Sequence, residues 1–338
     1  MMKIELTPCM VFDAMCFLNY DIDYDIEMSA YWRPEQKAFR EKIEKLTSAK
    51  LYNGYIGMST VIYMIASYDR NGKFENYTLD DLAKLFNNFE YIKEILLNKL
   101  AWASNVEYSP KDWIKIYLNY ISILKEIGFD KLWESDLLPI IQESINKRQE
   151  MFKNYDLENI LADIQKLKQC KPLEDIKIFI SVMNCPVAMK LPGNSFLDHV
   201  GNNYSTQYMA NFYHELMHGF INDELESLYL EYINGIDYLK KQYYTLINNR
   251  MRSGNEEEFV LAAEYYLRMK HSSEERIELL KKARKHCDGC MPTSVFLFDL
   301  LSKEAEIPNG YSKWLVDVFK NKKLPQGAIE YNLDRIYQ

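Results

Sequence analysis

The sequence predicts a mainly α-helical protein in two parts: a helical N-terminal domain over 1–172, and a domain over 173–338 that joins helices to a small sheet or hairpin. Three observations lead there. The 338 residues amount to two domains at roughly 150 residues each. Apolar residues recur at three- and four-residue spacing along most of the chain, the period of one helix face. One segment, Ile176–Val182, alternates with period two and is rich in β-branched residues, which marks a strand. Hydrophobic residues make up 48% of the chain and charged residues 27%, with only 12 Gly and 10 Pro. Such a chain can bury a large core, so extended disorder and collagen-like repeats are excluded.

The elements follow in order. From Pro34 to Leu46 one face is charged and Phe39, Ile43 and Leu46 line the other. Gly54–Tyr68 is apolar nearly all round, as a buried helix is. Thr78, with Asp80 and Asp81 behind it, caps a helix that runs to about Asn87. Another extends from Glu90 to Trp102. Ser109-Pro110-Lys111-Asp112 is a strong helix start, and Trp113, Ile116, Tyr117, Tyr120, Ile121 and Leu124 form the apolar stripe that ends at Gly128. Helices over 136–151 and 156–169 complete the first half, and no fixed-period repeat is present. After Lys171-Pro172 comes the strand. Asn184-Cys185-Pro186 breaks it, and Val187–Leu191 resumes extended chain, as a hairpin partner or an extended edge. Helices return over 205–220, 223–248, 255–270, 273–286, 292–304 and 310–320.

Charge and cysteine usage narrow the function. Lys and Arg number 41 against 49 Asp and Glu, a net charge of −8, which offers no basic footprint for nucleic acid. The basic run Lys281–His286 follows Glu274, Glu275 and Glu278 and reads as a solvated helix end. No apolar run is long enough to span a membrane, and the N-terminus lacks a secretory signal, so a cytoplasmic protein is expected. The six cysteines are too few and scattered for a disulfide framework. Cys287-Asp-Gly-Cys290 has no second pair to complete a zinc ribbon and no preceding strand, and reads as ordinary loop thiols.

The chemistry is concentrated in Tyr213-His214-Glu215-Leu216-Met217-His218. Residues i and i+4 stack on one helix face, so His214 and His218 can reach a single ion, and Glu215 can reach water beside it. Neutral imidazole suits Zn²⁺, which lowers the pKa of its bound water to about 7. With five His and 49 acids, this pattern arises by chance roughly once in a hundred such chains. Met209, Phe212, Leu216 and Phe220 give the same helix an apolar side.

With this motif on a helix after a strand, the sequence resembles the zincin metallopeptidases. The resemblance implies an α+β catalytic half in which an edge strand holds an extended peptide, and Val187–Leu191 is the segment that would correspond. Ile221 and Glu224 stand where the metzincin branch has Gly and its last His, so the resemblance is to the gluzincins, which take a Glu from a later helix as third ligand. The run Asn255–Tyr266 supplies it. Glu258, directly before the apolar residues, is the expected ligand, with Glu257 and Glu264 as alternatives; the thermolysin-type Glu-x-x-x-Asp is absent, since Ala262 stands four beyond Glu258. The resemblance also implies a Tyr or His that stabilises the oxyanion, for which Tyr266 is chosen over Tyr265 and His271. His199 and His286 have no spacing argument. The expectation is a zinc metallopeptidase acting on a peptide or protein substrate, with His214, His218 and Glu258 on the metal and Glu215 as general base. A helical interaction or regulatory protein that no longer cuts fits the same residues, its 26 tyrosines lining a partner surface. Di-iron chemistry fails for want of a second Glu-x-x-His.

Overall fold

The computed structural model describes residues 4–18, 58–68, 73–95, 110–169, 173, 175–183, 188–202, 205–245, 256–307 and 309–336. The protein is mainly α-helical with one small sheet. By contact it divides into two compact units, Met1–Met151 with Glu174–Tyr204, and Phe152–Leu173 with Ser205–Gln338. The boundary expected at 172/173 falls beside one of three points where the chain passes between them. The expected helix Pro34–Leu46 lies outside the described residues, as do the parts of the neighbouring helices before 58 and beyond 95. Among the described residues no helix is long and apolar enough to cross a membrane.

In the first unit four strands run in the order β1 (Ile4–Pro8), β2 (Ile176–Ser181), β4 (Ser195–His199), β3 (Met189–Leu191). β1 and β4 flank β2 in parallel, and β3 pairs antiparallel with β4. β2 is central, and Ile176, Ile178, Phe179 and Ile180 are all buried, as in a strand covered on both faces. The hairpin expected between the 176–182 strand and 187–191 is not formed. β4 lies between them, and the hairpin is β3–β4, turning through Gly193 at φ 72°. The Ser195–His199 segment, Ser-Phe-Leu-Asp-His, carries too little alternation to show itself as a strand. β3 is an edge strand, as expected of this segment; Val187 lies outside the described residues.

The helices of this unit are α1 (Met10–Leu18), α2 (Met58–Tyr68), α3 (Leu79–Asn87), α4 (Phe89–Glu94), α5 (Pro110–Glu126), α6 (Phe129–Leu132) and α7 (Leu138–Phe152). Thr78 caps α3 as expected: its Oγ accepts the Asp81 N–H at 3.2 Å, and Asp81 accepts the Thr78 N–H at 3.1 Å. Gly128 ends the α5 run in the left-handed region, at φ 69°. Phe12 of α1, Phe74 and Phe179 of β2 form an aromatic cluster with centroids 4.9 to 5.2 Å apart.

Charged groups sit beneath the ends of β2 and β4. Asp13 accepts from Ser181 Oγ (2.5 Å), the N–H groups of Val182 and Met183 (2.9 Å each) and Trp133 Nε1 (2.8 Å). Burial nevertheless pushes its carboxyl above the ordinary range. Arg148 of α7 pairs with Asp198 at 3.1 Å and donates to His199 O at 2.6 Å. His199 Nδ1 accepts the Gly201 N–H at 2.9 Å, so Nε2 carries the proton toward Val182 O at 3.2 Å. His199 is a fully buried structural histidine.

The second unit holds α8 (Leu157–Lys168), α9 (Ser205–Met217), α10 (Asp223–Asn234), α11 (Asp237–Thr245), α12 (Glu257–His271), α13 (Arg276–Lys285), α14 (Pro292–Leu301), α15 (Tyr311–Lys320) and α16 (Ile329–Arg335). The single helix expected over 223–248 is two, because Gly235 ends α10 and Asp237 opens α11. α12 is the central element: every residue from Glu258 to Leu267 is buried, and it packs on α9 and α14.

The Arg148–Asp198 pair is wholly buried, so Arg148→Met should strand a carboxylate in the interior. The expected loss is about 3–5 kcal/mol of unfolding free energy, read by urea denaturation. A loss under about 1 kcal/mol would mean that solvent reaches Asp198.

Candidate metal centre

α9 exists as a helix because Tyr208, Met209, Phe212, Tyr213 and Leu216 bury one stripe of it. Phe152 packs against Tyr208 and Phe212, with ring centroids 5.4 and 5.7 Å apart. His214 and His218 stand one turn apart on another face, their centroids separated by 5.0 Å. Each is only partly accessible, with side-chain exposures of 18% and 13%. One donor atom each from His214, Glu215 and His218 can be chosen so that all lie within 4.8 Å of one another.

The start of α12 faces them. Glu257 presents its carboxylate to the same side of both rings, at 3.2 Å from His214 Nε2 and 3.9 Å from His218 Nε2. The opposite ring nitrogens are held from behind. Glu264 lies 3.2 Å from His214 Nδ1, and Glu256 lies 3.1 Å from His218 Nδ1. Glu256 also accepts the N–H groups of Gly219 (2.8 Å) and Phe220 (3.0 Å), which fixes the turn after α9. Gly219 takes φ 91° there, a conformation open to glycine. On the other side Lys168 donates to the carbonyls of Leu216 (2.7 Å) and His218 (2.6 Å), groups that the end of a helix leaves unsatisfied.

The support continues outward. Arg268 donates to the second oxygen of Glu264 at 3.0 Å and grips Glu274 with two bonds of 2.9 and 2.7 Å. Lys282 also binds Glu274. Burial alone would raise Glu274, but Arg268 and Lys282 outweigh it and hold the carboxyl at about 2. Likewise burial would lower His214, yet the bonds from Glu257 and Glu264 carry it well above the usual imidazole range. Glu256, Glu257 and Glu264 are each depressed against burial, Glu256 by His218 and the other two by His214 first.

Two imidazole nitrogens and a carboxylate are the donor types of a tetrahedral divalent ion with one open position; His214, Glu215 and His218 offer donor atoms within 4.8 Å of one another, and Glu257 stands beside both rings. Bonds of about 2.0–2.1 Å would separate neighbouring donors by about 3.3 Å; the His214–Glu257 pair is at 3.2 Å and the His218–Glu257 pair at 3.9 Å. Carboxylates on the far nitrogens are the usual outer support of such imidazoles. The residues present fit zinc.

The structure places two of the expected site residues as follows. Glu258 is not with the histidines: it accepts from Tyr229 Oη (2.7 Å) and from the Ser294 N–H (2.9 Å) at the start of α14. Burial pushes its carboxyl up to about 7. It abuts the apolar run, but α12 is buried on all sides, so pointing inward does not mean pointing at His214. Glu257, one of the alternatives, is the acid at the start of α12 that stands beside both imidazoles. Tyr266 stands about 200° around α12 from Glu264, with the Lys270 ammonium 5.6 Å from its ring centre. His271, weighed beside it, is bound to Asp163 at 2.9 Å.

No spacing in the sequence points to Glu256 or Lys168. The same holds for His286, which follows α13. Burial lowers its pKa, and the charges of Glu264, His214 and Glu257 act on it, so it belongs to the electrostatic surroundings of the cluster. Comparison with family models, with curated proteins and with solved structures finds no match to this chain.

The ligand assignment predicts an order of effects on divalent-metal affinity, measured by competition with a chromophoric chelator. Glu256→Ala and Glu264→Ala should each weaken binding about 10–100-fold. Glu257→Ala should weaken it further, while Glu258→Gln leaves it unchanged. Equal losses in Glu257→Ala and Glu258→Gln would overturn the assignment.

Proposed function

We propose that this chain is a zinc-dependent metallopeptidase of gluzincin type, with His214, His218 and Glu257 on the metal. The observation that carries the reading is the convergence of His214 Nε2 and His218 Nε2 on the Glu257 carboxylate, with Glu215 on the same helix. Bound there, zinc supplies Lewis acidity toward a scissile carbonyl and lowers the pKa of an attacking water.

The chain's own residues do the rest. Glu215 is 4% exposed, beside both imidazoles. It takes the proton of the attacking water as general base and returns it to the leaving amine as general acid. Glu264 and Glu256 fix the orientation of the two rings, so that both present Nε2 to the same point. Arg268 holds the second oxygen of Glu264 in place, and Lys168 anchors the end of α9 from which His218 projects. A peptide substrate agrees with this arrangement, because amide hydrolysis needs both a polarised carbonyl and a proton for the departing nitrogen.

Three measurements on the full chain test the reading together: zinc content as purified, hydrolysis of a mixed peptide library, and both again in Glu215→Gln. Stoichiometric zinc is expected, with cleavage abolished by a chelator and restored by Zn²⁺. Glu215→Gln should keep its zinc while the cleavage rate falls about 10²–10⁴-fold, the usual size of a general acid–base contribution. Zinc without cleavage of any peptide would favour the non-cleaving interaction protein, and absence of zinc at saturating Zn²⁺ would end both readings.

A further inference from the structure

Cys287 and Cys290 have no part in the proposed hydrolysis, yet their geometry is specific. They are the first and last residues of a four-residue turn closed by the Cys290 N–H on Cys287 O at 3.1 Å. Both central residues are left-handed, Asp288 at φ 54°, ψ 29° and Gly289 at φ 78°. That is a type I′ turn, for which Asp-Gly is a favoured pair. The end Cα atoms of such a turn lie less than about 7 Å apart, and disulfides bridge Cα atoms roughly 4.4–6.8 Å apart. The turn therefore places the two cysteine backbones within the range that a disulfide spans. Those helices are anchored on either side, α13 through Leu279, Leu280 and Ala283 and α14 through Pro292–Phe298, all buried.

The pair is also asymmetric. Both are thiols; Cys287 is half-buried, while Cys290 is 5% exposed. Cys287 itself is left-handed, at φ 47°, ψ 46°, a conformation a non-glycine residue keeps only where its surroundings dictate it. Arg284 folds back over the turn: a Cβ on Gly289 would lie 3.3 Å from its carbonyl and 3.7 Å from its guanidinium.

We propose that Cys287 and Cys290 form a reversible dithiol–disulfide site that exchanges with low-molecular-weight disulfides. The accessible Cys287 thiolate attacks one sulfur of the small disulfide, forms a mixed disulfide and expels one small thiolate. The Cys290 thiolate then attacks the Cys287 sulfur, closes the intrachain bond and expels the second. Two protein thiols are oxidised, one small disulfide is reduced to two thiols, and the two protein protons pass to the solvent and the leaving thiolates. The site lies in the turn that His286 opens and is independent of whether the metal centre cleaves peptides.

The test uses the full-length protein in glutathione buffers that run from fully reduced to fully oxidised. Samples are quenched in acid, alkylated with iodoacetamide and digested with trypsin. The tryptic peptide His286–Lys303 contains both thiols and no other cysteine, so its mass reports them alone. The expected result is loss of both alkyl groups as the buffer becomes oxidising, leaving a peptide two hydrogens lighter than the free dithiol, reversed by dithiothreitol. Cys290→Ser should instead trap glutathione on Cys287, and Cys287→Ser should take up none at Cys290. A wild-type peptide that stays doubly alkylated throughout would overturn the proposal. So would a lasting mixed disulfide, a bridge to a different cysteine, or protection of both thiols by bound zinc that a chelator releases.

Discussion

Where α9 lies against α12, four carboxylates and two imidazoles share one partly buried volume, and the placement of everything near them follows from keeping those charges together. Carboxylates this close repel one another, and burial makes each costlier to ionise. Glu256 and Glu257 are offset by His218 and His214, and Glu264 by His214 and Arg268. Arg268 is in turn fixed by Glu274, and Glu274 by Lys282. The chain of alternating charge thus runs from the imidazole of His214 out to a lysine in solvent. The backbone is drawn into the same arrangement: Glu256 holds the Gly219 turn, and Lys168 holds the carbonyls at the end of α9. The His218 end of the His214–His218 turn is therefore fixed from two sides by charged groups of the same cluster.

The first unit buries charge in a different way, and the contrast separates a structural network from a candidate site. Arg148 and Asp198 are matched one to one, both fully buried, and Arg148 Nη2 also donates to the carbonyls of His199 and Asn202. His199 is locked between Gly201 and Val182. There each charge has its opposite beside it. Around His214 and His218 several carboxylates share two imidazoles, and the two rings remain partly accessible. Carboxylates gathered on imidazoles that stay accessible are an arrangement that attracts a cation, as the closed Arg148–Asp198 pair is not.

The legible features were those fixed by local chemistry. The cap at Thr78, the stop at Gly128, the central strand at Ile176 and the Pro292 helix start each depend on a few adjacent residues, and each stands where the sequence puts it. Features fixed by distant partners were not legible. β4 is a strand because β2 offers it a parallel neighbour, and Ser-Phe-Leu-Asp-His has no period to announce that. β1, at the far end of the chain from its partner, is in the same position. At the site, His214, Glu215 and His218 share one helical turn and could be found together. Glu256 and Lys168 act on backbone groups, which leave no mark in residue spacing, and His286 reaches the cluster only through tertiary packing.

Glu258 and Glu257 show why adjacency is a poor guide on a buried helix. On a half-exposed helix the residue that opens the apolar run faces the interior, and only one interior exists. α12 has interior on every side, so neighbours in sequence, 100° apart, enter different environments: Glu257 meets the histidines while Glu258 meets Tyr229 and the first turn of α14. The information that discriminates them is the seven-residue interval between Glu257 and Glu264, about two turns. Two acids so spaced share a face, and here they take the two nitrogens of the same imidazole. Arg268, four residues beyond Glu264, continues that face and neutralises it. An acid whose helical face carries a second acid two turns on, and a base after that, is placed to serve a cation. An acid whose face is otherwise apolar, as that of Glu258 is, is placed to anchor a helix.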